Sequence, residues 1–263
     1  MTTPPKTLLL FLGCAALLAG SYLTLQNLKE TMEAQVTDRL TQAVGHISNE
    51  SLDVRLGGIY ALERIAAGSE RDYEPILHIL ITYVRERAPW KEDGSARQGQ
   101  LAKPAPDVQA ALTVIGRRKH AYKQGETQRL DLRKTDLRGA NLSGAHLEGA
   151  ILSGVHLEGA ILHGTNLKEA ILREAHLENA SLVGARLEKA YLGGARLDGA
   201  ILRDAHLEDA YASEARLDGA DLLGADLTGA FGLTWEQIKT ARKDNRTRLP
   251  NDLKAQRPSP GSP

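Results

Sequence analysis

From Leu130 to Gly229 the sequence repeats every five residues, through 20 consecutive units without an insertion. The middle position of the unit is Leu in 19 of them, from Leu132 and Leu137 to Leu227, and Ala212 is the one departure. Two residues before it stands Ala in 16 units, with Leu130, Thr135, Val155 and Thr165 in the others. The fifth position is Gly in 12 units and otherwise Asp, Glu, Asn or Lys. A period of five fits neither ordinary element. It precesses around an α-helix and changes face at every unit of a flat strand. It requires a backbone that turns by the same angle every five residues. In such a coil the Ala and Leu of each unit both point inward. The unit-ending Gly, Asp and Asn suit a corner with unusual dihedrals. Stacked coils then pair their backbone groups with one another, as solenoids do.

Units such as AHLEG, AILSG, ANLSG and ADLTG resemble the pentapeptide-repeat family, whose signature is A-(D/N)-L-x-x. The resemblance covers 130–229. It implies a mainly β fold, a right-handed quadrilateral β-helix with four units per coil. Five coils spaced by about 4.8 Å then make a helix roughly 24 Å long. The region RLGGIYALERIAAGSERDYEPILHILITYVRERAP together with DVQAALTVIGRR is similar to the membrane-proximal part of bacterial membrane-anchored pentapeptide-repeat proteins. That subgroup implies no assigned biochemical activity.

A coil of 20 residues stacks positions 20 apart into columns. One column of outward residues reads Ile151, Ile171, Tyr191, Tyr211, and another Ile161, Ser181, Ile201. Between them lie faces carrying His156, His176, Arg196, Arg216 and His146, Asn166, Arg186, His206. Beside these run Glu158, Glu178, Asp198, Asp218 and Glu148, Lys168, Glu188, Glu208. The charged faces read as soluble surface with self-paired ions, each pair contributing about 0–1 kcal/mol. His156, His176, Glu158 and Glu178 are metal-capable side chains. Flat ladders rarely converge donors on a tetrahedron, so no metal and no cofactor are expected. The Ile151, Ile171, Tyr191, Tyr211 column is the candidate partner-binding stripe, because contiguous exposed apolar surface marks contact.

The flanks are of a different kind. Thr7 to Leu25 is a 19-residue run without a charge, TLLLFLGCAALLAGSYLTL. Its length is that of a hydrocarbon-spanning helix, so residues 1–26 read as a single-pass transmembrane anchor in the lipid bilayer. That reading stands ahead of a signal peptide cleaved after Ala19-Gly20-Ser21 and of a lipoprotein signal at Gly13-Cys14, which too little apolar sequence precedes. Few charges flank the run, and the positive-inside rule does not orient it. A cytoplasmic C-terminal part is what the family resemblance implies. Residues 27–88 read as a helical neck. Met32, Val36, Leu40, Val44 and Ile47 share one helix face; Leu52, Leu56, Ile59, Tyr60, Leu62 and Ile65 form a second stripe, after Ser51 as cap; Ile76, Leu77, Leu80, Tyr83 and Val84 form a third. Residues 89–129 read as a linker and a short capping helix, with the basic triplet Arg117-Arg118-Lys119 as a solvated helix end. After the repeat, FGLTWEQIK reads as a C-terminal cap helix within 230–248, with Thr234 at its N-cap, and 249–263 as a disordered tail.

Charge narrows the function. The chain carries 33 Lys/Arg and 33 Asp/Glu, formally neutral, which argues against a general nucleic-acid binder. The repeat holds 10 basic and 16 acidic residues, a net of −6. A lone Cys14 supports neither a disulfide framework nor a Cys-based metal site. No nucleophile–base pair, phosphate loop or metal motif stands out, and a Leu-filled interior leaves no pocket. The expected function is a membrane-tethered scaffold or protein-interaction module without catalytic activity, its protein partner unidentified and self-association included. The alternative is a DNA mimic that modulates gyrase, as quinolone-resistance pentapeptide proteins do. A net of −6 interleaved with Arg and His imitates phosphates poorly.

Overall fold

The computed structural model describes residues 6–91, 103–120 and 127–255. They fall into two compact units, which divide at Ile65 and Ala66.

The first unit is helical. Helix α1 runs Lys6–Ile47 and α2 runs Leu52–Gly68, passing into the second unit at its end. The apolar face expected along α1 is buried only towards its C-terminus. Met32 is exposed, Val36, Leu40 and Val44 are half-buried, and Ile47 is buried. On α2, Ile59 and Leu62 are buried, whereas Tyr60 faces solvent. Gly58 lets the two helices approach. A Cβ there would meet His46 Cβ at 2.8 Å and Ala43 O at 2.9 Å. The 7–25 run lies within the helical backbone of α1, but most of its side chains, and residues 1–5 of the expected anchor, lie outside the described residues. Among the described residues no helix is long and apolar enough to cross a membrane.

The second unit joins α3 (Glu70–Arg87) and α4 (Pro106–Gly116) to the repeat. Ser69 caps α3, accepting from the Asp72 amide at 3.2 Å. Ile76, Leu77, Leu80, Tyr83 and Val84 are all buried, as their spacing predicts. Helix α4 packs on α3, and Tyr83 donates to the buried Asp107 Oδ2 at 2.7 Å.

Each coil of the repeat takes 20 residues and has four sides. Parallel bridges join residues 20 apart in four columns, for example Ile151↔Ile171, His156↔His176, Ile161↔Ser181 and Asn166↔Arg186. The bonds recur in fixed register: Leu152 N donates to Ile171 O at 2.8 Å, and Ile171 N to Ala150 O at 2.8 Å. A mainly β chain was expected, yet the described residues form no extended strand. Each side meets its neighbour through a single bridging residue. The reason is local: the fourth and fifth residues of every unit are spent on the turn, leaving too little extended backbone for a longer ladder. All 20 unit-ending residues have positive φ, between 52° and 72°. Gly takes that conformation freely, while Glu169, Glu174 and Lys189 hold it at a steric cost. The middle Leu side chains and the Ala two residues before them are buried throughout, most of them at 0–3% exposure. Thr135 and Thr165 take the inward Ala place by turning their hydroxyls to Leu132 O and Leu142 O, each at 2.7 Å.

Both ends of the stack are closed, which removes the open edges a solenoid would otherwise expose. At the N-terminal end Gln109 of α4 bonds both the amide and the carbonyl of Asn141, at 2.9 and 2.8 Å. Gly116 O accepts from His146 N. Arg118 corrects the solvated-end reading of its triplet. Its side chain is fully buried and donates to His146 O and Glu148 O, both at 2.7 Å. An edge carbonyl needs a donor more than the end of α4 needs a surface charge. The first residues of the expected linker are also docked. Asp136 N donates to Ala88 O, and Trp90 N to Lys134 O.

The C-terminal cap is mostly an irregular sixth coil. Phe231, Arg242 and Arg248 continue three of the four columns by backbone pairing. Only Trp235–Ile238 is helical there (α5), because a longer helix would leave the last coil's polar groups unpaired. The Thr234 amide donates to Gln237 Oε1 at 2.7 Å. Gln237 Nε2 reaches down to Ala212 O and Ala215 O. Helix α6 (Asn251–Ala255) lies in the stretch read as a disordered tail. Burial of Leu253 accounts for its order.

Candidate partner-binding face

The four stripe residues occupy one column on consecutive coils, bridged as Ile151↔Ile171, Ile171↔Tyr191 and Tyr191↔Tyr211. Their character changes along the stack. Ile151 and Ile171 are half-buried, whereas Tyr191 and Tyr211 are 42% and 43% exposed. The tyrosine rings stack with centroids 4.8 Å apart and planes 5° apart. Sequence reasoning missed the end of the column. Phe231, assigned to the cap helix, bridges Tyr211 and stacks on its ring at 5.4 Å, and is 54% exposed. Its spacing of 20 from Tyr211 was the available signal. The result is a ladder of three stacked rings on consecutive bridged coils. Ile161 and Ile201 are exposed on another column, broken by Ser181 between them.

The charged columns are self-paired. Arg186 bonds Glu188 at 3.0 Å, His146 meets Glu148 at 3.1 Å, and Arg216 reaches Asp198 at 3.3 Å. Burial opposes ionisation of Asp136, but the Arg138 guanidinium, paired at 2.8 Å, outweighs it and holds the carboxyl below its usual range. Burial lowers the His176 imidazole below its ordinary value, and the neighbouring His156 adds to the effect. His156, His176, Glu158 and Glu178 do meet, on the column that Trp90 covers: His156 Nδ1 lies 2.9 Å from Glu158 Oε1, and His176 Nδ1 lies 3.8 Å from it.

A four-sided stack of five-residue turns with Leu and Ala inside defines the class of this domain. Residues 131–168, 160–199 and 190–229 match the family of pentapeptide repeats, in 8 copies, so the stretch 131–229 is a pentapeptide-repeat domain. Members of that family fold as right-handed β-helices. No curated protein matches the chain. Among solved structures, it is similar to a pentapeptide repeat protein from Nostoc Pcc 7120, at 29% identity, covering 43% of this chain and 75% of that one, with a TM-score of 0.33. A pentapeptide repeat protein from the Arabidopsis thaliana thylakoid lumen is 32% identical, covering 40% and 62%, with a TM-score of 0.23. QnrB1, a plasmid-mediated fluoroquinolone resistance protein, is 17% identical, covering 40% and 61%, with a TM-score of 0.20. The chain thus spans less than two thirds of the last two structures.

Proposed function

We propose that this protein is a tethered interaction module without catalytic activity. In this reading the 7–25 run holds α1 in a bilayer. The repeat presents the column of Ile151, Ile171, Tyr191, Tyr211 and Phe231 to a protein partner. The observation that carries the reading is the exposed, stacked ring ladder of Tyr191, Tyr211 and Phe231. Aromatic side chains left in solvent give up the area they would gain by burial. Tyr and Phe are enriched at interfaces for that reason. The rings sit on coils bonded to one another in regular register, so much of their ordering is in place before a partner arrives. Support for the tether comes from the uncharged length of 7–25 and from the exposure of Tyr22, Leu23, Leu28 and Met32 on α1. A cytoplasmic repeat domain completes the proposal.

The test combines fractionation with crosslinking. The full chain is expected in the membrane pellet after alkaline carbonate extraction. Protease added to intact spheroplasts should leave 26–263 protected. In those membranes the wild type should give a crosslinked partner or a crosslinked dimer, and Tyr191→Glu/Tyr211→Glu should fold normally yet lose it. A double variant that keeps every crosslink removes the stripe from the proposal. Recovery of the chain in the carbonate supernatant removes the tether.

A further inference from the structure

His and Glu two residues apart recur four times on the repeat, and in each case the imidazole Nδ1 faces the carboxylate. The separations are 3.1 Å for His146–Glu148, 2.9 Å for His156–Glu158, 3.7 Å for His176–Glu178 and 3.2 Å for His206–Glu208. In only one of them does the next coil place a second imidazole on the same carboxylate. His176 stacks on His156 with ring centroids 4.0 Å apart, and its Nδ1 lies 3.8 Å from Glu158 Oε1. Above His146 the corresponding residue is Asn166, above His176 it is Arg196, and above His206 it is Asp226. One donor atom from each of His156, Glu158 and His176 falls within 4.8 Å of the other two.

We propose that His156, Glu158 and His176 form a binding site for a divalent transition-metal ion of the Zn2+ class. Zn2+ bonds imidazole nitrogen and carboxylate oxygen at about 2.0–2.2 Å, which sets neighbouring donors about 3–4 Å apart. The observed 2.9 and 3.8 Å lie close to that range, and the whole donor set, within 4.8 Å, needs only a small inward shift to close on an ion. Two imidazoles and one carboxylate make a three-ligand set that leaves a position for water. The surroundings hold the donors still. Trp90 lies flat against the outer face of His156, whose side chain is only 7% exposed. The second oxygen of Glu158, Oε2, is buried and takes no hydrogen bond from the protein. Arg196 limits the donor set to three, since its Nε sits 2.7 Å from Glu178 Oε1 and engages that carboxylate. Its guanidinium also comes within 3.5 Å of His176 Nδ1, so a cation binds there against a neighbouring positive charge.

The experiment uses the full chain without a polyhistidine tag, in detergent micelles, titrated with Zn2+ by calorimetry and with Co2+ by visible absorption. One Zn2+ per chain is expected, with a rise in melting temperature and a Co2+ spectrum of low coordination number. His176→Ala and Glu158→Gln should each weaken binding by at least about tenfold. His146→Ala, in a pair with no second imidazole above it, should leave it unchanged. Arg196→Ala should tighten it, by removing the charge and freeing Glu178. His176 lies inside the column and not under Trp90, so its loss leaves the docked segment in place. Circular dichroism of each variant separates lost binding from lost fold. Binding that survives in the folded double variant Glu158→Gln/His176→Ala, or a wild type that takes up no metal at 1 mM (about the weakest affinity a specific site would show), overturns the proposal.

Discussion

The indole of Trp90 lies parallel to the imidazole of His156, ring centroids 3.3 Å and planes 11° apart. The Arg138 guanidinium stands 5.3 Å from the same indole, on a side chain already paired with Asp136. Beside it, Pro89 and Thr135 pair antiparallel. The short segment after α3 is therefore part of the cover on the first coil. Trp90→Ala removes the stack and a half-buried ring, and is expected to cost about 1–3 kcal/mol. Thermal melts read that cost. Hydrogen exchange at Asp136 N, which donates to Ala88 O, should accelerate in parallel.

The inward Leu column carries the repeat. Leu172 is fully buried in the middle of the stack. Leu172→Asp places a carboxylate there without a partner, at a cost of several kcal/mol, and the repeat domain is expected not to fold. Arg173, next in sequence, is exposed. Arg173→Asp should change the melting temperature by no more than a degree or two, about 0.5 kcal/mol or less. Circular dichroism melts of the two variants side by side check the inward–outward assignment.

Arg118 and Arg117 make a similar contrast at the N-terminal end. Arg118→Ala strands the carbonyls of His146 and Glu148 that its guanidinium serves. Charged donors of this kind contribute about 1.5–3 kcal/mol each, and a loss of about 3 kcal/mol is expected. Arg117 is exposed, and Arg117→Ala should stay within about 0.5 kcal/mol. Chemical denaturation of both variants measures the difference.

The C-terminal cap should be acid-sensitive through Asp244. Its carboxylate accepts from the Gly224 amide first, and from Thr247 and Arg246, which together hold its pKa down to about 2 against some burial. The unfolded chain has about 3.9. A lowered folded-state pKa contributes stability that is present above the unfolded value and is lost as pH falls through the folded one. Wild type should therefore melt above Asp244→Asn at neutral pH. The gap should close between about pH 4 and pH 2. Melting temperatures of both proteins across that range provide the check.

The sequence by itself determined the coil. Five-residue spacing fixed which side chains point inward. The Gly, Asn and Asp at 139, 179 and 204 announced corners that do adopt positive φ. The same spacing placed Tyr191 above Tyr211 without any structure. These features were legible because the repeat makes its contacts at a constant separation of 20 residues, so one local rule, applied 20 times, describes them all. The ends obey no such rule. Which segment covers the first coil, that Arg118 serves an edge carbonyl instead of solvent, and that Phe231 belongs to the aromatic column instead of a helix all depend on single contacts with no period behind them. The two imidazoles on Glu158 lie between these cases. Their column was visible in the sequence, but the direction of each Nδ1 and the ring of Trp90 against His156 were set by packing. Regular backbone hydrogen bonding repeats itself and can be read from a pattern. The closing of an edge is solved once, by whichever side chain the tertiary structure brings within reach.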